Sequence, residues 1–413
     1  MFLKKFVDII KAEPLVFLLG ACVLVLAVMG TSVRHVSSTM SAIVFLLSFL
    51  VIKDWAKLYL SLPKLEKIFL FSLLFYTVSA AFSYYNAGDA DRYFKLFDHY
   101  LRFTLIIPVY LLIIKNNISI LNYLLTGAVV SGPFLFFIAL SSYLSNPDVP
   151  AQGYYHHIIF GQLAMLNVGI MLCMLLTKNF DRYMQVLIMF SMLLGLVAAV
   201  MSQARGVWLV FPVYMMVAIY YTVKDKYLSI NHVVIFLVVA VLLSVVSPIG
   251  DLIKQRSEMA VTEVTRFYTE DHYVSSVGTR LAMWDIAVDV WKKNPVLGTG
   301  PGDFDDEVMA LQKQGEYVGM DVHNSVHNIF FQALVDSGIV GLMALLFAVI
   351  IMPLKVFLGN PDKEGRLVGI ITVVSFAVFG MSESWTLRSS SISMFLVYIV
   401  VITSHMHVVQ SKK

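Results

Sequence analysis

The sequence predicts an all-α integral membrane protein of about twelve transmembrane helices with one long polar loop, and three observations predict it. Of 413 residues, 59% are hydrophobic and 14% charged, with a mean hydropathy of +0.79, which does not describe a water-soluble surface. Apolar runs long enough to cross about 30 Å of hydrocarbon as helix recur along the chain. Ser247 to Val326 is the only substantial polar segment that interrupts them. Secreted, disordered and collagenous classes are excluded, and a net charge of +3 is too small to mark nucleic acid as a partner.

Taken in order, Met1 to Lys11 followed by Pro14 to Gly30 has the basic-then-apolar order of a signal peptide. No small-residue cleavage motif follows, so it is expected to be the first retained span. Further spans are expected around 41–52 (the shortest), 67–84, 101–114, 118–144, 157–177, 184–202, 205–223, 230–247, 328–357, 366–384 and 390–408. Nine spans then occupy residues 1–246, a loop with amphipathic helices 247–326, and three spans 327–413. Counted from a cytoplasmic N-terminus, 17 basic residues fall on inner connections and six on short outer ones. Both termini are expected in the cytoplasm and the long loop outside it, which places any chemistry there. Cys22 and Cys173 lie inside apolar runs and are expected as buried thiols.

Arg205 sits in the tight turn Ser202-Gln-Ala-Arg-Gly-Val-Trp208 at the outer face, where charge sorting gives no reason for arginine. A snorkelling anchor beside Trp208 is its bland alternative. Arg280 opens an amphipathic stretch whose apolar residues Leu281, Trp284, Ala287, Val290 and Trp291 recur at helical spacing, with Thr279 or Ser276 as the expected cap. Arginine there opposes the helix dipole, and an anion seated on the free N–H groups reconciles the conflict. Two guanidinium forks suit a diphosphate better than lysines do. Arg102, Arg256 and Arg266 are reserves, and His156 and His157 face the same side.

His323 and His327 are four apart and share a face on a helix, but lack the glutamate and third ligand of a zinc site. His327 reads better as an acid/base group at the lip of a span. A continuous helix from His327 to Leu358 would be about 47 Å long, so Gly338 and Gly341 are expected to mark a break or close packing. Leu297-Gly-Thr-Gly-Pro-Gly302 lacks the P-loop ending and is expected to be a turn. The acidic group Asp303, Asp305, Asp306 and Glu307 is expected to be solvated, and no metal is expected.

His327-Asn328, nine residues, Gly338, two residues and Gly341 together resemble the signature of the O-antigen ligase and polymerase superfamily. The Arg-Gly-x-Trp turn at Arg205, the Gly-Thr-Arg segment at Arg280 and the overall layout agree with it. The resemblance implies a GT-C-like membrane glycosyltransferase with one long periplasmic loop, sited in the bacterial inner membrane and using neither metal nor cofactor. It implies transfer of glycan from undecaprenyl diphosphate to lipid A-core, with His327, Arg280 and Arg205 catalytic. Asn328, His323, His157, Arg102 and Gly338 are the accompanying substrate-binding candidates. O-antigen polymerase and protein O-oligosaccharyltransferase share the donor and differ in acceptor; the chain's end at Lys413, directly after the last span, favours ligase. A flippase or transporter of lipid-linked sugars is the rival of another class, and it calls for more ionisable residues in mid-span.

Overall fold

A computed structural model describes residues 13–225, 248–270 and 273–411. The span expected at 230–247, both extreme termini and the Arg256 side chain lie outside this description. Every regular element among the described residues is helical. In chain order these are α1 (Pro14–Met29), α2 (Val36–Ser48), α3 (Trp55–Ser61), α4 (Lys64–Ser83), α5 (Ala90–Leu105), α6 (Ile107–Lys115), α7 (Leu121–Ser145), α8 (His157–Thr177) and α9 (Arg182–Met201). There follow α10 (Arg205–Trp208), α11 (Phe211–Asp225), α12 (Pro248–Glu270), α13 (Ser276–Lys293), α14 (Phe304–Lys313), α15 (Ile329–Leu345), α16 (Met352–Leu358), α17 (Lys363–Gly380) and α18 (Ser389–Ser411).

Nine of the expected spans appear among the described residues as helices long and apolar enough to cross a membrane, and the chain is a multi-pass membrane protein. The shortest expected span is longer than its apolar core suggests: 36–61 runs through α2, a 3-10 turn and α3. Two others differ in kind. The 16-residue α1 is apolar but short, and the 18-residue α17 opens with Lys363, Glu364 and Arg366.

The most buried helix is α8, fully enclosed along its apolar window by α7, α9 and α17. Its Asn167 amide reaches sideways to two neighbouring helices, where burial away from water leaves only protein partners. Asn167 Nδ2 donates to Ala27 O at 2.9 Å and to Ser131 Oγ at 2.8 Å, tying α1, α7 and α8 together. Cys22 and Cys173 are buried free thiols.

Contacts between connections sort the two ends of the bundle. At one end Tyr154 N donates to Ser32 O, Ala151 N to Met201 O, and Asn86 Nδ2 to Gly298 O. At the other, Lys178 pairs with Glu364 at 2.8 Å, and Ser119 Oγ lies 2.7 Å from His405 Nδ1. The first end carries 248–328. There α13, α14 and the irregular approach to α15 close a small second core around Met283, Ile286, Phe304 and Val326.

The break expected at Gly338 is present: Ser337 and Gly338 leave helical geometry, with Gly338 at φ 62°. The glycine turn docks into it. Thr299 N donates to Val335 O at 2.8 Å, Ile339 N to Pro295 O at 2.9 Å, and Gly300 N to Asp336 O at 3.2 Å. A Cβ on Gly338 would stand 2.3 Å from Val296 O, and one on Gly298 2.4 Å from Val335 O, so two backbones meet where only glycine fits. Gly338 therefore shapes the scaffold at this contact.

Candidate functional site

The site lies at the loop-bearing end, where α8, α10, α12, α13 and α15 meet the turn 381–388. His327 lies outside any helix. Residues 321–328 are irregular, Asn328 caps α15, and His327 takes the left-handed conformation at φ 53°. This corrects the expectation that His323 and His327 share a helical face. Their rings instead meet edge to face, with centroids 5.2 Å apart.

Left-handed backbone costs a non-glycine residue roughly 1 to 2 kcal/mol, so the neighbours must hold it. Trp284 Nε1 donates to Val326 O at 3.2 Å, and Val326 N to Gln332 Oε1 at 2.9 Å. Asn328 N donates to Ser384 Oγ at 3.1 Å and Asn328 Nδ2 to Met381 O at 3.2 Å. The Asn328 carboxamide oxygen accepts from Phe330 N and Phe331 N. Both polar side-chain atoms thus take part in capping and latching.

The latch brings in two residues that the sequence reading left out of the site. Glu383 Oε2 lies 2.9 Å from His327 Nδ1, and Glu383 Oε1 lies 3.1 Å from Arg388 Nε. The Glu383 side chain is 3% exposed and that of His327 14%. Burial pushes the Glu383 carboxyl up, but the hydrogen bond and charge of His327 and the charge of Arg388 outweigh it and hold it at about 2. An ionised carboxylate on Nδ1 sets the imidazole's orientation and keeps a proton there, which leaves Nε2 for chemistry. An acid and an arginine in one short turn between two apolar runs were the available signal, the arginine by the same charge-sorting argument that singled out Arg205.

The two arginines come from separate elements, and Arg280 lies within the field of Arg205. Arg205 opens α10 immediately after the turn at Gln203, which has φ 55°. Arg280 lies one turn inside α13, whose cap is Ser275, accepting from Gly278 N at 3.0 Å, rather than Ser276 or Thr279. Arg280 Nη1 donates to Ser276 O and Oγ at 2.8 and 2.9 Å, while its buried Nε has no hydrogen-bond partner. Burial lowers the Arg280 guanidinium from its ordinary range; Glu383 and Glu263 raise it, and Arg205 lowers it. Arg205, Arg280 and the His327–Glu383 pair thus share one field.

His156, more than His157, faces this field. Burial lowers its imidazole, with Glu383 raising it and Arg388, His327 and Arg280 lowering it. His157 Nδ1 lies 2.7 Å from Ser202 O, bracing the turn that precedes Arg205. His323 is lowered by burial and then by His327, with Asp321 opposing.

Arg102 is engaged elsewhere: Nη2 pairs with Asp98 at 2.7 Å, and Nη1 reaches Ser389 O at 3.5 Å, one residue beyond Arg388. These contacts tie it to the residue that follows Arg388. Arg266 pairs with Glu270 on the surface. The acidic group is less solvated than expected. Gly88 N donates to Asp303, Arg92 pairs with Asp305 and Asp306, and Lys293 pairs with Glu307, binding 86–92 to 293–307.

Residues 190–346 match the family model described as O-antigen ligase, a stretch that contains Arg205, Arg280, His327, Gly338 and Gly341 and ends before Glu383. The chain is also 25% identical over 350 residues to an uncharacterized protein of Haemophilus influenzae, covering 80% of this chain and 84% of that one.

Proposed function

We propose that this chain, placed in an O-antigen ligase family by its match over residues 190–346, is an inverting membrane glycosyltransferase. It moves glycan from undecaprenyl diphosphate to lipid A-core at the periplasmic face of the inner membrane. The observation that carries this reading is the joining of two arginines from α10 and α13 to a carboxylate-held imidazole at one end of the bundle.

The chemistry follows from what each group does. As the glycosidic C–O bond breaks, negative charge grows on the lipid diphosphate, and fixed guanidinium groups stabilise it. Arg280, with a buried Nε that has no partner, supplies an open donor for a phosphate oxygen. Nε2 of His327 accepts the proton of the acceptor hydroxyl as it attacks the anomeric carbon from the opposite face. Glu383 offsets the imidazolium that forms. No step calls for a metal or an organic cofactor.

Purified protein supplied with lipid-linked glycan and lipid A-core tests the reading. Free undecaprenyl diphosphate and a glycosylated acceptor are expected together. Translocation of donor without transfer would identify a flippase. Product formed only on a second lipid-linked glycan would identify a polymerase, and product formed only on protein an O-oligosaccharyltransferase. His327→Ala should remain folded in the membrane and lose transfer.

A further inference from the structure

An anion of the chain itself already stands at Arg205 and at the first turn of α13. Glu263, on α12, sends Oε2 to Val277 N at 2.7 Å, in the first turn of α13, and Oε1 to within 3.6 Å of Arg205 Nη2. Arg280, three residues on from Val277, feels the charge of Glu263 as well as that of Arg205. The carboxylate is 13% exposed and the Arg205 side chain 21%, so the contact is partly withdrawn from water.

We propose that Glu263 is a resident counter-ion occupying the donor's diphosphate seat, which the donor must displace, so that this residue sets donor affinity. The inference rests on the reading of Arg205 and Arg280 as diphosphate ligands. Three features argue for exchange. Glu263 takes one free N–H of a helix start, the kind of group that receives phosphate oxygens. Its contact with Arg205 Nη2, at 3.6 Å, is a charge contact longer than a hydrogen bond, one that a closer phosphate oxygen can replace. Arg280, three residues beyond Val277 on α13, keeps a buried Nε donor without a hydrogen-bond partner. A carboxylate carries one charge and two oxygens. A diphosphate carries more of both, and can serve Val277 N, Arg205 and Arg280 together.

Exchange also accounts for the place of Glu263 on α12, which packs on α13 and α9. While the seat is empty of substrate, the carboxylate places a negative charge beside Arg205 and within the field of Arg280. When donor enters, Glu263 leaves Val277 and the α12–α13 contact loosens.

The test uses inorganic pyrophosphate binding to the full-length protein in detergent, by calorimetry. Glu263→Gln keeps an acceptor for Val277 N and removes the charge, so pyrophosphate should bind roughly three- to tenfold tighter than to wild type. The KM for lipid-linked donor should fall with it. Equal or weaker binding by Glu263→Gln, with binding still dependent on Arg205 and Arg280, overturns the proposal and leaves the seat standing. Pyrophosphate binding indifferent to both Arg205→Ala and Arg280→Ala overturns the seat itself. Should Glu263→Gln fail to fold, hydrogen exchange on wild type decides: saturating pyrophosphate should speed exchange at the α12–α13 contact, and unchanged protection overturns the displacement.

Discussion

His327 Nδ1 stands 2.9 Å from Glu383 Oε2, across 56 residues of chain. The pair joins the irregular lead into α15 to the turn between α17 and α18, and Arg388 Nε lies 3.1 Å from the other carboxylate oxygen. An imidazole held in this way has one nitrogen committed and one available, the arrangement that general-base work requires.

Glu383 should therefore act on turnover through His327 while leaving donor binding nearly unchanged. Glu383→Gln, similar in shape, is expected to lower kcat by roughly 10²-fold or more with KM for donor within about threefold. Steady-state kinetics with purified substrates checks this. Wild-type kcat in that variant would remove Glu383 from the mechanism.

Acid stability should report the same carboxylate. Its folded value of about 2 lies below the ordinary value of 4.5, so its stabilising contribution is present above the ordinary value and is lost as pH falls through about 2. The contribution is on the order of 3 kcal/mol. Thermal unfolding in detergent between pH 5 and 2 should fall more steeply for wild type than for Glu383→Gln; parallel curves would contradict the depressed value.

Arg280→Lys should lose most transfer, by roughly 10²-fold or more, although charge is retained, because a point charge cannot reproduce a planar fork. Transfer at near wild-type rate in this variant would show that charge alone suffices.

Gly338→Ala should destabilise the protein by at least about 2 kcal/mol, since a side chain there would meet Val296 O while the backbone holds positive φ. Ala at Gly315, where nothing lies within 4 Å, shares the positive φ without the clash and should cost less. Unfolding midpoints of the two variants, measured side by side, give the comparison.

Chelator treatment should leave transfer intact, as arginines do the work of a cation in the proposed mechanism. Activity lost to chelator and restored by zinc would instead point to the His323 and His327 rings.

Much of the architecture was legible in the sequence because its signals are local sums. A run of apolar residues either spans hydrocarbon or does not, and lysines and arginines near its ends weigh each connection independently. Arg205 stood out for the same reason, as a cation where sorting places none, and Gly338 because a straight helix from His327 to Leu358 is too long. Arg388 carried the Arg205 signal as well, but in a turn that no motif drew attention to.

The sequence by itself determined a chain of repeated membrane-length helices, a polar segment gathered into one loop, and a histidine and two arginines marked by their surroundings. Only the tertiary structure decided which carboxylates hold them: Glu383 for His327 and Glu263 for Arg205. It also decided that Asn328 and Arg102 are engaged in the scaffold and that Gly298 and Gly338 meet across a broken helix. The reason is physical. Hydropathy is summed along the chain, whereas an ion pair or a backbone contact between distant elements depends on the packing of every helix between them.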